Sequence, residues 1–294
     1  MRLKLKEKLN TIKNLRGVKL VREIAKRYSK HSISAYSAQM AFFMVLAVFP
    51  FLIFLINVLG RFSLDTEMVV KTLEIFFPKE VHGLVLGMLN DYILTSDNSI
   101  LSLSVLGTIW SASKGVRGLM RALNRAYGIK ETRKYIIVKA MDMFYTIAFV
   151  VMILFLLALP NIGRGFFDFI NKYINVQITE EYYNIYNMFK IITLPTSLVF
   201  IMCSVYLITP NVKLKLRDVL WGSIFSIIGW AVLSFSFSIF INNFANYSLV
   251  YGGLTTFIIM MLWFYFSGIV LMIGGEINSV VWEKRNNKKY LIAD

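Results

Sequence analysis

The sequence predicts an all-α fold: a polytopic membrane protein, built as a six-helix transmembrane bundle with short external amphipathic helices. Three observations predict it. Hydrophobic residues make up 57% of the 294 positions and charged residues only 17%, against roughly 25% charged in ordinary globular chains. Uncharged runs long enough to cross hydrocarbon recur along the chain, and lysine and arginine alternate between abundance and scarcity in the segments that connect them. A soluble protein of this size has no means of burying so much apolar surface. In lipid, by contrast, helices of about 20 apolar residues satisfy their own backbone groups.

The elements follow in order. Residues 1–31 form a basic cytoplasmic or interfacial segment with eleven lysines and arginines. Within it Val18, Leu20, Val21, Ile24 and Ala25 give a helix lying on the membrane surface its apolar side. No cleavable signal peptide is expected, because the first apolar stretch follows a long polar segment and exceeds the length of a signal core. The membrane domain covers 32–282. Ser32–Gly60 carries no charge and predicts a first span at about 36–60, with Pro50 as a candidate kink. A second span at 98–118 is the shortest run. It includes Ser102, Ser104, Thr108, Ser111 and Ser113, and reaches full length only if Lys114 and Arg117 extend their charged heads to the interface. The third and fourth spans fall at 142–163 and 190–211. From Val219 to Gly275 no residue is charged. The turn formers from Asn242 to Gly253 divide that run into spans at 219–241 and 254–280. A tail, 283–294, follows. Two connections are long: 65–93 suits two short amphipathic helices broken at Pro78, and 164–187 is rich in aromatic residues of the kind that line a membrane interface.

Charge distribution orients the spans. Residues 1–31, 114–139, 213–217 and 283–294 hold 26 of the 32 lysines and arginines, and the alternate segments hold the other six. Positive charge collects on the cytoplasmic side, so both termini are expected there. Without the second span, the eight positive charges of 114–139 would lie outside.

The net charge of +15 does not predict nucleic-acid binding, which needs a basic face on a soluble domain. Cys203 is the sole cysteine and lies in an apolar run, as an inert buried thiol does. His31 and His82 stand in different segments, and no metal-ligand spacing, nucleophile elbow or phosphate loop occurs. No catalytic set, metal or cofactor is therefore expected, and the chain does not read as an enzyme. Two features remain. Glu276 lies roughly 12 Å of helix before Lys284, a depth at which a carboxylate needs a partner. It is a candidate for a semi-buried ion pair with Arg117, either as a structural lock or as part of a proton or substrate route. Lys114, Arg117, Arg121 and Arg125 are spaced to share one helix face within an arc of roughly 80°. That stripe is a candidate contact for an anionic headgroup or cargo, or plain anchoring charge at the inner leaflet. Gln39, Asn57 and the small-residue faces Gly222–Ser226–Gly229 and Gly268–Met272 suit close helix packing.

Several segments, in order, resemble the YihY/BrkB family of bacterial inner-membrane proteins. They are Ala41-Phe42-Phe43 with Phe49-Pro50; Ile109-Trp110-Ser111-Ala112-Ser113-Lys114-Gly115-Val116-Arg117 running on to Ala122-Leu123-Asn124-Arg125-Ala126-Tyr127; Tyr206-Leu207-Ile208-Thr209-Pro210-Asn211; Tyr251-Gly252-Gly253-Leu254; and Leu262-Trp263-Phe264-Tyr265 leading to Gly274-Gly275-Glu276-Ile277-Asn278. The resemblance implies six helices in the bacterial cytoplasmic membrane. Its members have carried a ribonuclease label now regarded as mistaken, and some are linked to serum resistance or to export of envelope components. It points to a transporter or flippase-like protein for an amphiphile or anion, with membrane lipids of the anionic inner leaflet and a small-molecule or lipid cargo as partners and no nucleic acid. The alternative is a non-transporting scaffold or regulator that binds anionic lipid or a protein.

Overall fold

A computed structural model of the chain describes residues 16–62, 98–148, 151, 196, 198–244 and 253–286, and all regular structure among them is helical. The helices are α1 (Arg16–Lys30), α2 (Ile33–Phe62), α3 (Asn98–Ala126), α4 (135–148), α5 (Leu198–Ile208), α6 (Leu216–Phe244) and α7 (Gly253–Asn286). Three carry segments long and apolar enough to cross a membrane: Ile33–Phe54, Leu216–Phe240 and Phe257–Asn286. They coincide with the first, fifth and sixth expected spans. The expected second span is a helix too, but α3 runs on to Ala126, and its lysine, arginines and hydroxyl residues keep it less apolar. Most of the third expected span, residues 190–195 and 197 of the fourth, and the connections 65–93 and 164–187 lie outside the described residues; α5 falls within the rest of the fourth.

α1 is amphipathic: Lys19, Arg22 and Lys26 are exposed while Leu20 and Ile24 are half-buried. Arg27 and Lys30 in its last turn complement the negative end of the helix dipole. The helix stops because Ser32 adopts a left-handed backbone (φ 55°), which costs a non-glycine residue about 1 kcal/mol. The His31 amide donates to the Arg27 carbonyl at 2.8 Å, and Tyr36 N–H donates to the Ser32 carbonyl at 3.1 Å to open α2. This turn presses His31 into the bundle, leaving it 3% exposed.

Small residues let the long helices meet backbone to backbone. Gly107, Gly115 and Gly118 of α3 face α2; a Cβ on Gly107 would come within 3.3 Å of Pro50 Cβ. Helix α2 continues through Pro50, so this residue serves as a packing surface for α3. On α7, Gly268 lies against Ser37, whose hydroxyl donates to Met272 Sδ at 3.3 Å. Further along, Gly274 and Gly222 bring α7 and α6 so close that a Cβ on Gly222 would overlap the Gly274 carbonyl. Tyr206 ties a third helix to this pair. Its hydroxyl bonds Ser226 Oγ and the Leu271 carbonyl, each at 2.6 Å.

Burial is uneven along α7. Every residue from Gly274 to Val280 is buried. On α6, by contrast, Trp221, Ile228, Val232 and Phe235 are at least 59% exposed. Large apolar side chains turned outward in such a row suit lipid as the solvent. The polar centre of the molecule lies at the end where α1, the C-termini of α3, α5 and α7, and the N-termini of α2 and α6 converge.

Candidate functional site

Three acids are buried at this end, each 0–1% exposed, and each meets a base from another segment. Glu276 Oε1 accepts from His31 Nδ1 at 2.5 Å, and Glu276 Oε2 lies 3.6 Å from Arg27 Nη1. Asp142 of α4 accepts from Arg117 Nε. Asp218, in the first turn of α6, accepts from the Lys215 backbone N–H at 2.8 Å and from Arg285 Nη2 at 2.9 Å. An unpaired carboxylate here would bear a desolvation cost of several kcal/mol, which explains why no acid stands alone.

Arg27 is the hub. Its Nη2 donates to Glu283 at 2.7 Å and to Glu23 at 2.9 Å, and Nη1 donates to Ser279 Oγ at 3.2 Å. Ser279 Oγ in turn donates to the Ala126 carbonyl at 2.6 Å, at the negative end of α3. Burial opposes the charge on Arg27. Its bonds to Glu283 and Glu23 and the nearby Glu276 outweigh that and hold the guanidinium above its ordinary value. One side chain thus fastens α1 to α7 and to the end of α3.

Beside this hub opens a cleft of about 870 Å³, within the size range of ligand sites. It lies between the second half of α3, the loop at 128–134 and the start of α4, with Lys30 and Tyr36 on its remaining side. Six cations line it: Lys30, Arg117, Arg121, Arg125, Lys130 and Arg133. The acid lining it is Glu131, which Arg133 engages through two nitrogens at 2.6 Å; that hydrogen bonding holds Glu131 below the usual carboxylate range. Among the described residues, Lys30, Arg121, Arg125 and Lys130 have no acidic partner. Apolar walls come from Met120, Ile129, Tyr135 and Val138.

The expected stripe is therefore divided. Arg117, Arg121 and Arg125 line the cleft, whereas Lys114 sits 3.7 Å over the Trp110 ring and 5.3 Å from that of Phe43. The expected Glu276–Arg117 pair is corrected. Glu276 is indeed buried and partnered, but by His31 and Arg27, because α1 folds back over the end of α7. Arg117 faces α4 instead, and takes Asp142. Sequence reasoning passed over His31, Arg27, Asp142 and Asp218. A signal was present: each buried acid stands at the basic end of an expected span, where a lone carboxylate is hardest to leave unpaired.

The segments that carry the family resemblance assemble here as well. Asn124 Oδ1 accepts from the Asn211 amide at 2.7 Å, and Asn124 Nδ2 donates to Glu131 at 2.9 Å, so the end of α3 clamps both the Thr209-Pro210-Asn211 turn and the cleft loop. Asn278 Oδ1 accepts from Gly222 N at 2.6 Å.

Long apolar helices joined by buried ion pairs at one polar end define a helical membrane protein. The chain belongs to the BrkB family, described as virulence factor BrkB, which matches residues 24–292. A Bacillus subtilis (strain 168) protein, YfkH, named as ribonuclease-like, is 34% identical over 90% of this chain and 96% of its own length. A UPF0761 membrane protein of Alteromonas mediterranea is 22% identical over 90% of this chain and 88% of its own. Another, from Haemophilus influenzae (strain 86-028NP), is 20% identical over 88% and 93%. No solved structure matches the chain.

Proposed function

We propose that the protein is a non-enzymatic transporter or flippase-like protein that receives an anionic amphiphile in the cleft. It crosses the bacterial cytoplasmic membrane six times with both termini inside. The observation that carries this reading is the cleft's composition. Four of its cations lack an acidic partner among the described residues, and apolar and aromatic side chains stand beside them. Exposed guanidinium groups suit a phosphate-type head, which they grip through paired N–H donors. The adjoining apolar wall suits the start of a hydrocarbon tail. Anionic inner-leaflet lipids are the nearest source of such a ligand.

The test uses proteoliposomes with a fluorescent phosphatidylglycerol, following both its binding and its translocation by quenching of the outer leaflet. The Arg121→Gln/Arg125→Gln protein should bind at least tenfold more weakly and translocate nothing, with unchanged melting. Binding without translocation by the wild type would favour the scaffold reading. Equal binding by wild type and variant would remove the cleft from the function.

A further inference from the structure

We infer that His31 and Glu276 form a proton-binding site whose occupancy decides whether α1 stays seated on α7. The two side chains are 3% and 1% exposed and meet at 2.5 Å across 245 residues of sequence. Glu276 Oε2 accepts no hydrogen bond among the described residues, and the buried Tyr127 hydroxyl nearby has no partner among them.

The charges around the pair do not balance. Helix α1 contributes Glu23 and Arg27, and α7 contributes Glu276 and Glu283. The end of α3 adds the Ala126 carbonyl and Tyr127, α5 adds the neutral Tyr206, and α6 adds Asp218, which Arg285 already neutralises. Among the described residues α2 brings no charged side chain to the pair. With a neutral imidazole, one guanidinium therefore faces three carboxylates and the negative end of a helix. One added proton removes one of the two surplus negative charges. The imidazolium then holds Glu276, and Arg27 is left to Glu283 and Glu23. Loss of that proton returns the second surplus negative charge to the contact between α1 and α7 and weakens the seating.

Movement of α1 reaches the cleft directly. Lys30, its last residue, lines the cleft, and its carbonyl accepts from Arg125 Nη2 at 3.2 Å. Release of α1 withdraws one cation from the cleft and frees another.

The test measures maleimide labelling of the full-length protein in nanodiscs, in a Cys203→Ala background. Ile24→Cys, at a half-buried α1 position, is compared with Val21→Cys, at a position 68% exposed. The ratio of the two rates cancels the titration of the thiol itself. It should rise at least fivefold in one step between pH 5.5 and 8, and the step should vanish in His31→Gln and in Glu276→Gln. A flat wild-type ratio, or a step that survives His31→Gln, overturns the inference. Should the variants fail to fold, the His82→Gln protein, made without a histidine tag, keeps His31 as its single histidine. Its infrared ring bands must then change over the same pH interval as the labelling, and bands that stay constant there overturn the inference equally.

Discussion

Replacing Arg27 with glutamine tests the hub on which the polar end depends. The side chain is 14% exposed and serves Glu283, equally buried, and Glu276, which is 1% exposed. Glu23 is 40% exposed and adds little, since water screens it. Removing one partner of a buried pair costs about 3–5 kcal/mol. His31 still holds one oxygen of Glu276, so the low end, about 3 kcal/mol, applies. At roughly 2–4 °C per kcal/mol for a chain of this order of size, the melting temperature should fall by about 6–12 °C. Tryptophan fluorescence during heating in detergent reads the shift. Adding Glu283→Gln removes the orphaned charge and should restore a good part of it, whereas Glu283→Gln alone should cost less than Arg27→Gln. A fall below about 3 °C, or a double variant no better than the single, would refute the account of Arg27 as the neutralising group.

The same melt separates the partners of the second buried pair. Arg117→Gln strands a carboxylate that is 1% exposed and should cost about 3 kcal/mol, while Asp142→Asn leaves a guanidinium that is 16% exposed and keeps the Tyr135 ring 5.3 Å away, and should cost less; the reverse order would contradict the desolvation reasoning. Gly222→Ala places a Cβ into the Gly274 carbonyl and should sharply reduce folded yield on a detergent gel filtration column. Gly118→Ala, whose nearest foreign atoms would be 3.7 Å away, should be tolerated. In the cleft loop, Arg133 lowers the Glu131 carboxyl below its unfolded value. Its contribution is therefore present above the unfolded value and lost as pH falls through the folded one. Amide exchange over 128–134, corrected for intrinsic rates, should accelerate below about pH 4 in the wild type and show no such step in Glu131→Gln.

Some of this was readable before the structure, for a physical reason. Whether a segment is helical and lipid-facing depends on its own run of uncharged residues, so α2, α6 and α7 fall within a few residues of the expected 36–60, 219–241 and 254–280. The cation stripe of α3 was readable because its spacing is a property of one helix. The depth of Glu276 followed from helical rise alone, and with it the need for a partner. Which base answers that need was not readable. The Arg117 assignment rested on proximity to the basic end, a property that Arg27, His31 and Arg125 share equally.

The sequence by itself determined the solvent of this protein, the positions of its apolar helices and the end at which its charge collects, since each is set by local composition. Only the tertiary structure decided that α1 folds back through the left-handed Ser32, that His31 and Arg27 reach Glu276 while Arg117 goes to Asp142, and that three arginines of α3 open onto a cleft. Those outcomes depend on which helix ends meet, and that is governed by glycine-mediated contacts and by the pairing of every buried carboxylate at once.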